Sequence, residues 1–98
     1  MDLPEITNKI KGRVGEDSGL DATVKFDMGD EGVVFVDATK TPNEVNNENV
    51  DADCTIILSV ENMNAIMSNE LDPMTAFMMG KLKVEGSMGI AMKIQSVL

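Results

Sequence analysis

The stretch Asp72-Pro73-Met74-Thr75-Ala76-Phe77-Met78-Met79-Gly80-Lys81-Leu82-Lys83-Val84-Glu85-Gly86-Ser87-Met88-Gly89-Ile90-Ala91-Met92-Lys93 reads as helix, strand, helix. Asp72 can cap a helix, and Pro73 takes the first helical position, where its missing N–H costs nothing. Gly80 ends that helix. Leu82 and Val84 alternate with Lys81, Lys83 and Glu85, as in a half-buried strand. Gly86 and Ser87 turn the chain into a final helix from Met88 to Leu98. Between Pro73 and Gly80 only Thr75 is polar. A helix apolar nearly all round must be covered on several sides or line an apolar space.

Upstream, Ser59 or Glu61 opens another helix. Its Val60, Met63, Ile66 and Met67 form one stripe, and Asn62, Asn64, Ser68 and Asn69 face away. Cys54–Leu58 is a strand with Cys54, Ile56 and Leu58 inward. Thr39–Asn49 is polar and reads as a loop with a short edge strand near Val45. Thr23–Met28 and Val33–Ala38 form a hairpin around the turn Gly29–Gly32. Val33, Val34, Phe35 and Val36 are apolar on both faces, which points to an interior strand. Leu3, Ile6 and Ile10 predict a short amphipathic helix ending near Gly12, and Gly15–Gly19 a polar loop. Strands grouped early and helices late predict a single α+β domain over residues 1–98, a mainly antiparallel sheet with helices on one face.

The net charge of −9 argues against a nucleic-acid partner and leaves at most transient membrane contact. The acidic, polar N-terminus is unlike a signal peptide, and the single cysteine fits a reducing compartment, so a cytoplasmic location is expected. With no histidine, histidine-based catalysis and histidine-ligated metals are excluded. No phosphate-binding glycine loop or G-x-S-x-G is present. The expectation is a non-enzyme with no cofactor and no metal. Nine residues are Met, seven of them between Met63 and Met92. Such flexible side chains suit surfaces that adapt to varied ligands better than uniquely packed cores.

The opening stretch resembles the sterol carrier protein type two family, whose pattern N-P-x-x-A-F-x-x-G-K-L-K-x-x-G-x-M-G-x-A-M-K is met here by Asp72-Pro73, Ala76-Phe77, Gly80-Lys81-Leu82-Lys83, Gly86, Met88-Gly89 and Ala91-Met92-Lys93. Asp replaces Asn before the proline, a like-for-like cap. Ala52-Asp53-Cys54-Thr55-Ile56 resembles the family's A-D-C-T-I strand, and Val34–Asp37 falls where members often carry V-V-D. Residues 1–21 match only loosely, and the long N-terminal helix of animal members looks shortened. The resemblance implies about five strands and a hydrophobic tunnel between sheet and helices. It also implies intracellular binding and transfer of a fatty acid, fatty acyl-CoA, phospholipid or sterol.

On that basis the side chains expected to line a cavity are Phe26, Phe35, Ile56, Met63, Ile66, Met67, Met74, Phe77, Met78, Leu82, Val84, Met88 and Met92. The competing reading of the same residues is an ordinary core. Arg13, Lys81 and Lys83 are candidates for a headgroup; otherwise the lysines line a solvated strand face. Cys54 reads as a small buried apolar side chain, since it sits inward on a strand and the chain has no histidine to activate it. The alternative to a lipid carrier is an interaction domain dimerising through the apolar last helix, broken when Ile94 or Leu98 becomes charged. A monomer or weak homodimer is expected.

Overall fold

The computed structural model describes residues 2–14, 21–40 and 43–95. Helix α1 spans Leu3–Val14, and strands β1 (Thr23–Asp27) and β2 (Val33–Asp37) form the expected hairpin around a 3-10 turn at Gly29–Glu31. Strand β3 (Glu44–Asn46) and strand β4 (Cys54–Leu58) follow. The chain then forms α2 (Val60–Met67), α3 (Pro73–Met78), β5 (Leu82–Gly86) and α4 (Met88–Gln95). The polar loop Gly15–Gly19, together with Pro42 and Leu98, lies outside the described residues.

The strands form one sheet in the order β3-β2-β1-β4-β5. Three neighbouring pairs are antiparallel, and β1 with β4 is parallel. The parallel pair requires the connection Asn47–Asp53 to carry the chain from the β3 edge past two strands. Lys25 Nζ donates to Asn49 Oδ1 at 3.1 Å. Lys25 alternates with the buried Val24 and Phe26, so this contact places the connection on the face of the sheet away from the core.

The register puts Val24, Phe26, Val34, Val36, Val45, Cys54, Ile56, Leu58 and Leu82 on one face. That face shares a single apolar cluster with side chains of all four helices, among them Ile6, Ile10, Met63, Ile66, Met67, Ala76, Ala91 and Ile94. The fold is thus α+β, a mostly antiparallel sheet with the helices on one side. Fully burying each aliphatic side chain contributes roughly 1.5–3 kcal/mol.

Helix α1 continues through Gly12, where the sequence suggested a stop. Ile6, Ile10 and Val14 recur every four residues and are all buried. Their packing outweighs the roughly 1 kcal/mol a mid-helix glycine costs. Thr7 helps seat this helix: its hydroxyl donates to Leu3 O at 2.7 Å and accepts from Asn47 Nδ2 at 3.0 Å. The same Asn47 amide donates to Val33 O at 2.9 Å, tying α1, β2 and the crossover together.

Of the two candidate starts for α2, Ser59 is the cap, its Oγ accepting from Asn62 N–H at 3.1 Å. The helix ends in a Schellman turn with Asn69 left-handed at φ 60°. There Asn69 N–H donates to Ile66 O at 3.1 Å and Glu70 N–H to Ala65 O at 2.8 Å. Ile94, considered above as a dimer contact, is fully buried in the chain's own core. Charging it would disrupt the monomer, so Ile94 is not available as a dimer contact.

Candidate functional site

Helix α3 is six residues long and fixed at both ends by local rules. Asp72 Oδ1 accepts from Met74 N–H at 2.8 Å and Thr75 N–H at 3.3 Å, and Pro73 opens the helix. Gly80, at φ 74°, closes it. Gly80 N–H donates to Phe77 O at 3.2 Å and Lys81 N–H to Ala76 O at 2.8 Å, a second Schellman turn. Only Ala76 of this helix is buried. In α4, Ala91 and Ile94 are buried, and Ser87 Oγ accepts from Ile90 N–H at 3.3 Å at the helix start.

Both helices pack against β5, the edge strand. Apart from Ile90, which is partly buried against the core, their remaining large apolar side chains are left in the open. Met74, Phe77, Met78, Met79, Met88 and Met92 range from 36% exposed at Phe77 to 79% at Met78. Among the described residues only one other large apolar side chain, Val50, is similarly exposed. Within their helical spans, α3 carries no charge and α4 only Lys93, in a chain of net charge −9. Apolar residues left exposed this way make the two helices the candidate site.

The candidate lining residues fall into three groups. Phe26, Ile56, Met63, Ile66, Met67 and Leu82 are buried on the helix side of the sheet, with Val84 partly buried against them. Met74, Phe77, Met78, Met88 and Met92 are the exposed set on α3 and α4. Phe35 stands apart: it pairs with Lys25 and Asn46 on the opposite face, the one crossed by Asn47–Asp53. Strict alternation along β2 carries the signal for this, because Val34 and Val36 face the core and Phe35 between them cannot. Met79, exposed beside Met78, was not among the candidates, although it continues the same apolar run.

The three cationic candidates do not converge. Arg13 Nη2 donates to Met67 O at 2.8 Å, at the C-terminal end of α2, where a cation meets the negative end of the helix dipole. Lys83 lies on the outer face of the sheet, opposite Ile57. Lys81 occupies the turn between α3 and β5, its carbonyl accepting from Asn62 Nδ2 at 3.0 Å. Cys54 is fully buried, and that burial pushes its thiol pKa up, away from the thiolate. Among the described residues no group of three His, Cys, Asp or Glu could hold a metal ion. No described helix is long and apolar enough to cross a membrane.

Comparison with known proteins agrees with this architecture. Bovine sterol carrier protein 2 (Bos taurus) is 45% identical over 51 residues, which cover 52% of this chain and 9% of that protein. Mouse stomatin-like protein 1 (Mus musculus) is 32% identical over 72 residues, covering 71% of this chain and 18% of its own length. The chain therefore spans a small fraction of the curated relatives it matches. The crystal structure of sterol carrier protein 2-like 2 from Aedes aegypti superposes with a TM-score of 0.80 at 22% identity, covering 98% of this chain and 95% of that one. The palmitated form of the Aedes aegypti protein, solved by NMR, gives 0.73 at 23% identity over 99% and 94%. The profile of the SCP-2 sterol transfer family matches residues 8–98, and the chain belongs to that family.

Proposed function

We propose that this domain binds the apolar chain of a lipid between the helix side of the sheet and helices α3 and α4. It then carries or presents that lipid without a covalent step. One observation carries the reading: six exposed apolar side chains gathered on two helices that rest on the same edge strand. Met74, Phe77, Met78, Met88 and Met92 would form the mouth of the site. Leu82, Val84, Ile56, Phe26, Met63, Ile66 and Met67 would form its floor. Phe35 and Lys83, on the other face of the sheet, are left out.

Desolvation supplies the affinity. Each buried methylene is worth roughly 0.8 kcal/mol, so ten give about 8 kcal/mol gross. That corresponds to a dissociation constant of about a micromolar, before the cost of ordering is subtracted. No hydrogen bond is needed, so fatty acids, acyl-CoA, phospholipids and sterols should compete. The palmitated Aedes aegypti neighbour supports an acyl chain among them. A polar headgroup would remain near water, within reach of Lys81. The acidic chain and its buried thiol suit a cytoplasmic carrier that touches membranes only transiently.

Native mass spectrometry of gently purified protein, followed by titration with palmitate, tests this reading. The expected result is a monomer carrying one lipid adduct. Failure to take up palmitate, palmitoyl-CoA, phosphatidylcholine and cholesterol alike would overturn it.

A further inference from the structure

We infer that the exposed methionines of α3 and α4 are an oxidation site through which peroxide weakens lipid binding. This rests on the lipid reading above and adds a means of regulation to it. The chain holds no Trp, Tyr or His, and its one cysteine is buried in β4. The oxidisable groups that remain are methionines, and the fold sorts them sharply. Met28, Met63 and Met67 are at most 4% exposed, whereas Met74, Met78, Met79, Met88 and Met92 are at least 43% exposed. Among the described residues, every exposed methionine belongs to α3, its capping residue or α4. Among the described methionines, two-electron oxidation is therefore directed to these two helices and the cap, where the lipid is assigned.

The chemistry needs only hydrogen peroxide. A thioether lone pair attacks one peroxide oxygen, the S–O bond forms as the O–O bond breaks, and the departing hydroxide leaves as water after proton transfer. The sulfur is oxidised by two electrons and the peroxide reduced by two. Each sulfoxide replaces a soft apolar contact with a strongly hydrated dipole. Four at the mouth, with Met79 beside them, favour water over an acyl chain there, while the buried methionines keep the core intact. Methionine sulfoxide reductases reverse the change.

The test treats the full chain with hydrogen peroxide, maps sulfoxides by peptide mass spectrometry, and measures palmitate affinity and circular dichroism. The expected result is oxidation at the five exposed positions with an unchanged spectrum. Palmitate affinity should fall about tenfold or more, and it should recover after treatment with reductases for both sulfoxide epimers. In the variant M74L/M78L/M79L/M88L/M92L, affinity before and after peroxide should be the same; if that variant does not fold, recovery by the reductases decides alone. Unchanged affinity despite mapped sulfoxides overturns the inference. So does a loss that tracks oxidation of Met28, Met63 or Met67 and collapse of the spectrum. Protein that takes up no lipid before peroxide is added overturns the lipid reading and this inference together, a failure visible at a different step.

Discussion

Replacing Gly86 by alanine should be among the most damaging single-methyl additions this domain can suffer. Gly86 ends β5 at φ 92°, where an L side chain is strained, and a Cβ there would sit 2.4 Å from Asp53 O, a backbone atom just before β4. That carbonyl also accepts from Ser87 N–H at 3.1 Å, the bond that leads β5 into α4. Left-handed backbone costs a non-glycine residue roughly 1–2 kcal/mol. Forcing extra volume against a packed neighbour adds about 1–3 kcal/mol. A total of about 2–5 kcal/mol is a large part of the roughly 5–15 kcal/mol a domain commonly has. It should lower Tm by about 10–25 °C for a chain of this length.

Gly80 supplies the internal control. It is also left-handed, at φ 74°, yet nothing lies within 4 Å of the position its Cβ would take. Gly80→Ala should therefore show only the backbone strain of about 1–2 kcal/mol. The chain has no Trp or Tyr, so urea and thermal unfolding would be followed by far-ultraviolet circular dichroism. If Gly86→Ala proves no more destabilising than Gly80→Ala, the close approach to Asp53 O does not shape this junction and the reasoning fails.

Three further expectations can be checked with the same protein. Asn69→Ala places a residue less tolerant of φ 60° in the α2 Schellman turn and should cost about 1 kcal/mol, read as a drop in the urea midpoint. Cys54, buried with its thiol pKa raised, should resist iodoacetamide at neutral pH until the chain unfolds, so its alkylation rate should rise with urea along the unfolding curve; fast alkylation of native protein would contradict its placement. The Asp37 carboxylate accepts from the Thr39 hydroxyl and, at 3.0 Å, from Thr39 N–H; with Lys40 nearby its pKa lies below the usual carboxylate value. Its contribution to stability is present above the unfolded-state pKa and lost as pH falls through the lowered one, so Asp37→Asn should slightly flatten the acid-side fall in urea midpoint.

Much of the site's framework was legible because it follows local rules. Asp72, Pro73 and Gly80 specify the two ends of α3 through hydrogen bonds spanning a few residues, and Ser59 does the same for α2. The parallel pairing of β1 with β4 was not legible, because it depends on a crossover of seven residues, Asn47–Asp53, that carries no periodic pattern. Sequence spacing also could not separate the buried Met63 and Met67 from the exposed Met74, Met78, Met88 and Met92. All sit at helical spacing on apolar stripes, and only α2 adds a polar opposite face of Asn62 and Asn64. What separates them is tertiary: α2 packs beside α1 over the sheet, while α3 reaches the core through Ala76. The placement of Phe35 was recoverable from alternation, but four apolar residues in a row hid which of them pointed inward.

The most direct test of the lipid site is a palmitate titration followed by NMR on protein carrying methyl-labelled methionine and isoleucine. The expected result is saturable shifts at Met74, Met78, Met88 and Met92, extending to Met63, Met67 and Ile56, with Ile57 on the outer face unmoved. Shifts confined to Ile57, or a methionine spectrum indifferent to palmitate and to the other lipids, would contradict binding between the sheet and helices α3 and α4.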